Sequence, residues 1–382
     1  MENKKHSFDL GELLSEYQGQ LTSQYSFSPD QSKVLTDLTC CRTSALGGHK
    51  DYCNHCGHVQ NSYNSCRNRH CPKCQYIKQA EWVDRLKHNL PPTKYFHLIF
   101  TIPQELHQIF YTNQRLCYDL LFRSSTKAVH HASGGPSGYG ASVGGVSLLH
   151  TWGQALTYHP HIHMLVPAGG LSADKMEWIH SPGKFFLPAK VLSKIFRGIV
   201  CKMLSEIIAK GEEIFLPDDF SWDKLKQKLY KNNWNVHIKS HQLGADRVIE
   251  YLGRYTHRVA ISNSRIISVK DDQISFKIKD NRTGAYSSTI TLPVIEFHRR
   301  FFQHVVPRGF CRIRYFGFMS LSIAKEMLAL VFELLEKAQF IPRLEGLNAM
   351  EVFQEISGKR QRICPECGIG ILLPFHGATE SG

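Results

Sequence analysis

No stretch of this sequence stays apolar for the roughly 20 residues that a bilayer crossing needs, so no membrane partner is expected. Nowhere does it carry the GxxxxGK[ST] or GxGxxG spacing that cradles nucleotide phosphates, and the glycine-rich run 133–145 (SGGPSGYGASVGG) reads as a connection. No acidic trio stands out, which counts against carboxylate-triad chemistry, and there is no internal repeat. Acidic residues are in deficit: 33 Asp and Glu face 46 Lys and Arg, a formal net charge of +13. That excess favours a polyanionic partner, although a basic protein without one would look the same by charge alone. Residues 1–9 are charged and polar, unlike a secretory leader, so a cytoplasmic protein is expected.

What is present is enough apolar material for real cores, 42% hydrophobic and 11% aromatic over 382 residues, which is room for two or three domains. Twelve cysteines fall largely in short-spaced pairs with histidines between them. Without a leader these read as metal ligands in a reducing compartment and not as disulfides. Cys117, Cys201 and Cys311 sit alone among apolar neighbours and read as packing residues.

Residues 40–75 have few periodic apolar positions and many turn formers, so this segment needs a metal to fold around. Cys53 and Cys56, followed by Cys71 and Cys74, are two CxxC pairs at a spacing that suits one tetrahedral structural zinc. Cys41, His49, Cys66 and His70 remain, for a second zinc or for packing and DNA contact. Cys364 and Cys367 form a lone CxxC that reads either as half of a further site or as a simple turn. A zinc closed by four protein ligands has no open position for hydrolysis. Its use would be to present Arg67, Arg69, Lys73 and Lys78 to a phosphate backbone.

Further along, 95–102, 146–152, 161–166 and 234–239 read as strands, the second and third as antiparallel neighbours. Residues 105–125, 187–209, 246–255, 293–304 and 321–338 read as helices, and 266–292 as a small meander. In a strand alternate side chains share a face, so His161 and His163 point the same way and can chelate one divalent ion. His159 shares that face but lies about 13 Å from His163 in an extended chain. The third ligand comes from elsewhere, with His97, His150 and Gln154 as candidates. Tyr251 and Tyr255 are one helical turn apart on one face, with Arg247, Arg254 and Arg258 around them. Two core tyrosines would give the same spacing, but their polar neighbours suit a groove better. Arg312 and Arg314 alternate on a strand beside Tyr315, as a DNA-channel lining or a plain surface row of charge.

Taken together, NSCRNRHCPKCQ at 64–75, HTWGQALTYHPHIHMLVPAGGLS at 150–172, EYLGRYTHRVAIS at 250–262 and RRFFQHVVPRGFCRIRYFGF at 299–318 carry a specific resemblance. From about Asp37 to about Phe318 the chain resembles the two-tyrosine HUH transposases of rolling-circle insertion sequences, the IS91 family. Ala168 departs from the pattern, where a third glycine would be usual, and His237 is not carried over. The resemblance implies an α+β fold, an HUH-type antiparallel sheet flanked by helices and preceded by a zinc-stapled domain. It implies domains at 1–90 (zinc and DNA binding) and 91–330 (tyrosine nuclease), leaving 331–382 as a helical tail. By matching position, His161 and His163 would be the HUH ligands for magnesium or manganese, and Tyr251 and Tyr255 the nucleophiles. The implied partners are single-stranded and hairpin DNA at element ends, and target DNA. A replication initiator or relaxase would share this chemistry. A non-catalytic zinc-dependent regulator would leave the histidine and tyrosine motifs idle.

Overall fold

The computed structural model describes residues 8–134, 138–182, 188–211, 214–241, 253, 260–279, 285–358 and 362–375. The expected helix at 246–255 therefore lies outside the described residues, apart from Gly253, which is helical and buried. The chain packs as two units: Met1–Asp84 with His257–Arg299 and Pro342–Gly382, and Arg85–Thr256 with Arg300–Ile341. Both are built from separated stretches, unlike the consecutive 1–90, 91–330 and 331–382 division expected from sequence. Among the described residues no helix is long and apolar enough to cross a membrane.

The second unit is organised by one antiparallel sheet. Its strands are β3 (Tyr95–Thr101), β4 (Gly145–Trp152), β5 (Tyr158–Pro167), β8 (Val236–His241) and β12 (Ile313–Phe316). The order is β12-β4-β5-β3-β8, with β5 in the centre. One face of the sheet is a continuous apolar layer of Leu98, Phe100, Leu149, Ile162, Met164 and Val166, covered by helices Gln114–Gly134 and Ala189–Ala209. This is a two-layer α+β arrangement: the period-two strand pattern buries one face against the apolar stripes of two long helices. The helix expected at 105–125 is broken instead at Asn113, between His107–Thr112 and Gln114–Gly134. There the Asn113 amide donates to the carbonyls of Ile109 (2.9 Å) and Phe215 (2.8 Å) and accepts from the Phe215 N–H (2.7 Å).

Arg314 was a candidate for a DNA channel, and the structure corrects that. It pairs with Ser147 across β12–β4, on the helix-covered face. Its guanidinium stacks on Phe122 (4.3 Å to the ring centre) and binds Asp119 at 2.6 Å. Strand alternation set Arg312 and Arg314 on one face, but could not say which face carries the helices.

The first unit holds helices Leu10–Gln24 and Pro29–Thr39, the latter started by a Ser28–Gln31 capping box. A three-stranded sheet joins β1 (Gly48–Cys53) to β2 (Val59–Tyr63) on one side and to β13 (Leu372–Pro374) on the other. The expected meander is there as β9 (Ile266–Lys270), β10 (Gln273–Ile278) and β11 (Ser288–Pro293).

Gly317 fixes how β12 leaves the sheet of the second unit. Its φ is +59°, and a Cβ there would lie 1.8 Å from the Val143 carbonyl oxygen. Both the left-handed backbone and the contact exclude larger residues. Gly317→Ala is expected to cost about 2 kcal/mol or more, read as a lowered thermal midpoint; an unchanged midpoint would show that the turn relaxes freely.

Candidate metal sites and histidine centre

The β4–β5 register places His150 directly opposite His161, and Leu148 opposite His163. Cross-strand partners share a face, so His150, His161 and His163 project together from the side of the sheet opposite the helices. Their ligand nitrogens all lie within 4.8 Å of one another. Of the three candidates for the third position the structure therefore brings in His150. Gln154 lies beyond β4, in the turn before β5.

His161 and His163 face each other through Nε2, 3.1 Å apart. Two neighbouring ligands about 2.1 Å from an octahedral ion stand about 3.0 Å apart, so the pair fits a shared cation. The Nδ1–H of His161 donates to the His159 carbonyl at 2.6 Å. A carbonyl only accepts, so that bond leaves the His161 Nε2 lone pair facing the site. The Nδ1 of His163 shares a hydrogen bond with His97 Nε2 at 2.8 Å, the two rings lying nearly parallel. His97 thus orients His163 from behind, the place where a metal-bound imidazole usually finds an acceptor. It is a supporting residue and stands outside the ligand trio.

Burial keeps His161 and His163 neutral, the form that binds a cation. His150 and His163 are only 4% and 5% exposed. Burial pushes His161 down to about 4. His163 is driven well below its ordinary value by burial first, then by His150, His161 and His97.

A support that the sequence did not reveal stands behind His150. Trp152 stacks on the His150 ring with centroids 4.7 Å apart. The neighbouring Thr151 hydroxyl donates to His304 Nδ1 at 3.2 Å, while His304 Nε2–H donates to the Leu156 carbonyl at 3.0 Å. Arg300 also binds this turn, through the Ala155 carbonyl at 3.1 Å. These two side chains hold the β4–β5 connection, and nothing but proximity within the 299–318 motif marked them. Ala168 sits where a glycine was expected, and its backbone N–H donates to the Lys94 carbonyl at 2.7 Å without positive φ.

In the first unit the cysteines group differently from the expected Cys53–Cys56–Cys71–Cys74 site. Cys71 and Cys74 gather with Cys41 and Cys66, while Cys53 and Cys56 gather with Cys364 and Cys367. The β1–β2 hairpin explains the split. Cys41 and Cys66 flank its base, closed by Arg42 N–H to Asn64 O and Asn64 N–H to Gly47 O. Cys53 and Cys56 ride at its tip, about five residues or roughly 17 Å away. His49 and His70 belong to neither sulfur group; His49 is exposed and lies 3.5 Å from Asp51.

The first group has sulfur separations of 3.4 Å (Cys41–Cys74), 3.6 Å (Cys41–Cys71) and 3.7 Å (Cys66–Cys74). Sulfurs about 2.3 Å from a tetrahedral zinc stand about 3.8 Å apart, so these residues fit one ion. Hydrogen bonds from Cys66 and Cys71 hold the Cys74 thiol well below its ordinary value. Lys73, a candidate phosphate contact, is occupied: its ammonium binds Asp9 at 2.9 Å and the Cys41 carbonyl at 3.4 Å.

Fold and sites together define an α+β protein with a cysteine cluster in its amino-terminal region and a three-imidazole centre shared by two neighbouring strands, β4 and β5, of a sheet. Comparisons with known proteins agree. The family model described as "Transposase zinc-binding domain" matches residues 13–102, and the one described as "Putative transposase" matches residues 144–327. "Putative transposase y4qJ" of Sinorhizobium fredii is 38% identical over 367 residues, 93% of this chain and 92% of that protein. "Transposase for insertion sequence element IS801" of Pseudomonas savastanoi pv. phaseolicola is 30% identical over 309 residues, 80% of this chain and 74% of that protein. No solved structure matches the chain significantly. The chain belongs to the IS91-type transposases that carry an amino-terminal zinc-binding domain. That domain and its cysteine cluster support a structural zinc. Tyr251 and Tyr255 lie outside the described residues.

Two outcomes follow from the histidine geometry. His150→Ala is expected to weaken manganese binding at least tenfold in calorimetric titration; unchanged affinity would remove His150 from the trio. His304 is buried and held at about 4, against 6.5 in the unfolded chain. Between those values the unfolded chain binds a proton that the folded one refuses, so stability falls as pH drops through that window. His304→Gln is expected to flatten this decline in thermal unfolding followed from about pH 7 to about pH 4. An identical slope in the variant would mean that His304 does not contribute.

Proposed function

We propose that this chain cleaves and rejoins single-stranded DNA at the ends of its element through a 5′-phosphotyrosine intermediate. The observation that carries this reading is the convergence of His150, His161 and His163 on one point of an antiparallel sheet. A divalent cation bound there would supply positive charge to a scissile phosphate and lower the barrier to attack on phosphorus. We assign manganese over magnesium, because magnesium demands oxygen ligands and gives up its water reluctantly, whereas imidazole favours transition ions. The Cys41, Cys66, Cys71 and Cys74 group is the proposed zinc staple, closed by four thiolates and therefore structural.

Tyr251 and Tyr255 are the proposed nucleophiles. One phenol oxygen bonds to phosphorus, the bond from phosphorus to the 3′ oxygen breaks, and that oxygen leaves as a hydroxyl carrying a proton. The phenol gives up its own proton, which is costly near pH 7 for a group with a pKa about 10; Arg247, Arg254 and Arg258 stand close in sequence to offset that cost. The energy of the broken bond stays in the tyrosine ester, so strand joining requires no nucleotide, in keeping with the lack of phosphate-cradle motifs. A second phenol lets a second cleavage proceed while the first holds DNA. On the histidine face, Lys239 of β8 is exposed and pairs in register with His97, a cation suited to a neighbouring phosphate. Two relatives named as transposases favour transposition over replication initiation.

Labelled single-stranded oligonucleotides from the element's ends, incubated with protein and manganese, are expected to give a protein-linked label on a denaturing gel. Tyr251→Phe combined with Tyr255→Phe should abolish the adduct while oligonucleotide binding survives. An adduct that persists in the double variant removes both tyrosines from the chemistry.

A further inference from the structure

We propose that Cys53, Cys56, Cys364 and Cys367 form a second tetrathiolate zinc site that clasps the carboxy-terminal tail to the amino-terminal hairpin. This pair of knuckles extends beyond the matched zinc-binding segment, residues 13–102. The sulfurs of Cys53 and Cys367 are 3.8 Å apart, as are those of Cys56 and Cys364. That is the edge of a tetrahedron around zinc, about 3.8 Å, and nearly twice the disulfide length of about 2.0 Å.

The two halves repeat one design. Each is CxxC followed by glycine, with Gly57 at φ +71° and Gly368 at φ +66°. In each, the N–H of that glycine returns to the carbonyl of the first cysteine, 3.1 Å at Cys53 and 3.0 Å at Cys364. Backbone N–H groups are directed at the sulfurs: His55 and Cys56 toward Cys53 at 3.4 Å, Gly370 toward Cys367 at 3.3 Å. Such bonds offset the charge of a thiolate and are a regular part of zinc knuckles.

The tail is docked by more than sulfur. β13 pairs with β1 in the register Cys53 to Leu372. Asn54 closes the contact twice, its N–H donating to the Ile371 carbonyl (3.1 Å) and its side chain accepting from the Ile371 N–H (2.8 Å). Asp51, fully buried on β1, receives Arg362 at 2.8 Å, so a tail residue two positions before Cys364 neutralises a carboxylate that would be costly to bury alone. Gly370 lies so close that a Cβ there would sit 2.3 Å from the Cys53 sulfur. The tail and hairpin are therefore shaped to each other around the four sulfurs.

Metal content of the purified full-length chain tests this. The wild type is expected to hold one zinc more than a Cys364→Ser, Cys367→Ser variant, while Cys71→Ser loses a different zinc and keeps this one. Equal zinc in the wild type and the Cys364→Ser, Cys367→Ser variant overturns the proposal, because it leaves Cys53 and Cys56 with other partners. Should the variant not fold, cobalt-substituted wild type decides. Thiolate-to-cobalt charge transfer is expected at the intensity of eight cobalt–sulfur bonds, and the intensity of four contradicts the site. A Cys53–Cys367 or Cys56–Cys364 disulfide found by mass spectrometry in the freshly purified chain also contradicts it.

Discussion

The register between β4 and β5 is the constraint from which the histidine centre follows. It sets His150 across from His161 and, one pair further in, Leu148 across from His163. Side chains alternate with a period of two, so slipping β4 by a single residue would turn His150 into the apolar layer and bring Leu149 to the histidine side. The slip is prevented from both directions. Leu149, Ile162 and Met164 are locked under two helices on one face, and the turn joining the strands is tied by His304 and Arg300. The hydrophobic core thus acts on the chemistry at a distance of one strand thickness, by deciding which residues face the open side.

The strands and the HxH face were legible because periodicity and β-branched or aromatic content suffice for them. The third imidazole was not legible, because His97 and His150 differ only in cross-strand pairing, which is a long-range property, while Gln154 falls in the turn after β4. Register separates them: His150 pairs directly with His161, while His97 pairs with Leu165 and reaches His163 from behind. The cysteines misled for the same reason in reverse. Neighbouring CxxC pairs suggest a shared ion, but a five-residue hairpin arm carries one pair away from the other, and Cys56 and Cys364, separated by 308 positions, end up together. Alternation placed Arg312 and Arg314 on one face, yet only the packed structure shows that Arg314, half-buried, turns to Phe122 and Asp119 of the helix Gln114–Gly134. The helix Pro29–Thr39 carries a local start signal, the Ser28–Gln31 capping box, which is legible without any long-range contact. Tyr251 and Tyr255 remain an argument from spacing and family.

We propose that two kinds of metal environment divide the labour in this chain. The sulfur groups fit closed tetrahedra, in which every position is taken by protein and the ion serves folding. The histidine group offers three imidazole donors, fewer than a divalent transition ion accepts, so a cation bound there would keep positions for a phosphate. The first is suited to shaping a DNA-binding surface on a segment with little core of its own; the second is suited to reaction. We propose this division as the physical basis on which an IS91-type transposase breaks and rejoins a strand without a nucleotide.

The proposed reaction needs three imidazoles to share one cation on the sheet. Electron–nuclear double resonance on the manganese-loaded protein, prepared with histidine labelled by nitrogen-15, tests it most directly. Directly bonded nitrogen couplings are expected, diminishing when His150, His161 or His163 is replaced singly. Manganese showing only water and carboxylate coordination, with no nitrogen coupling, would contradict it.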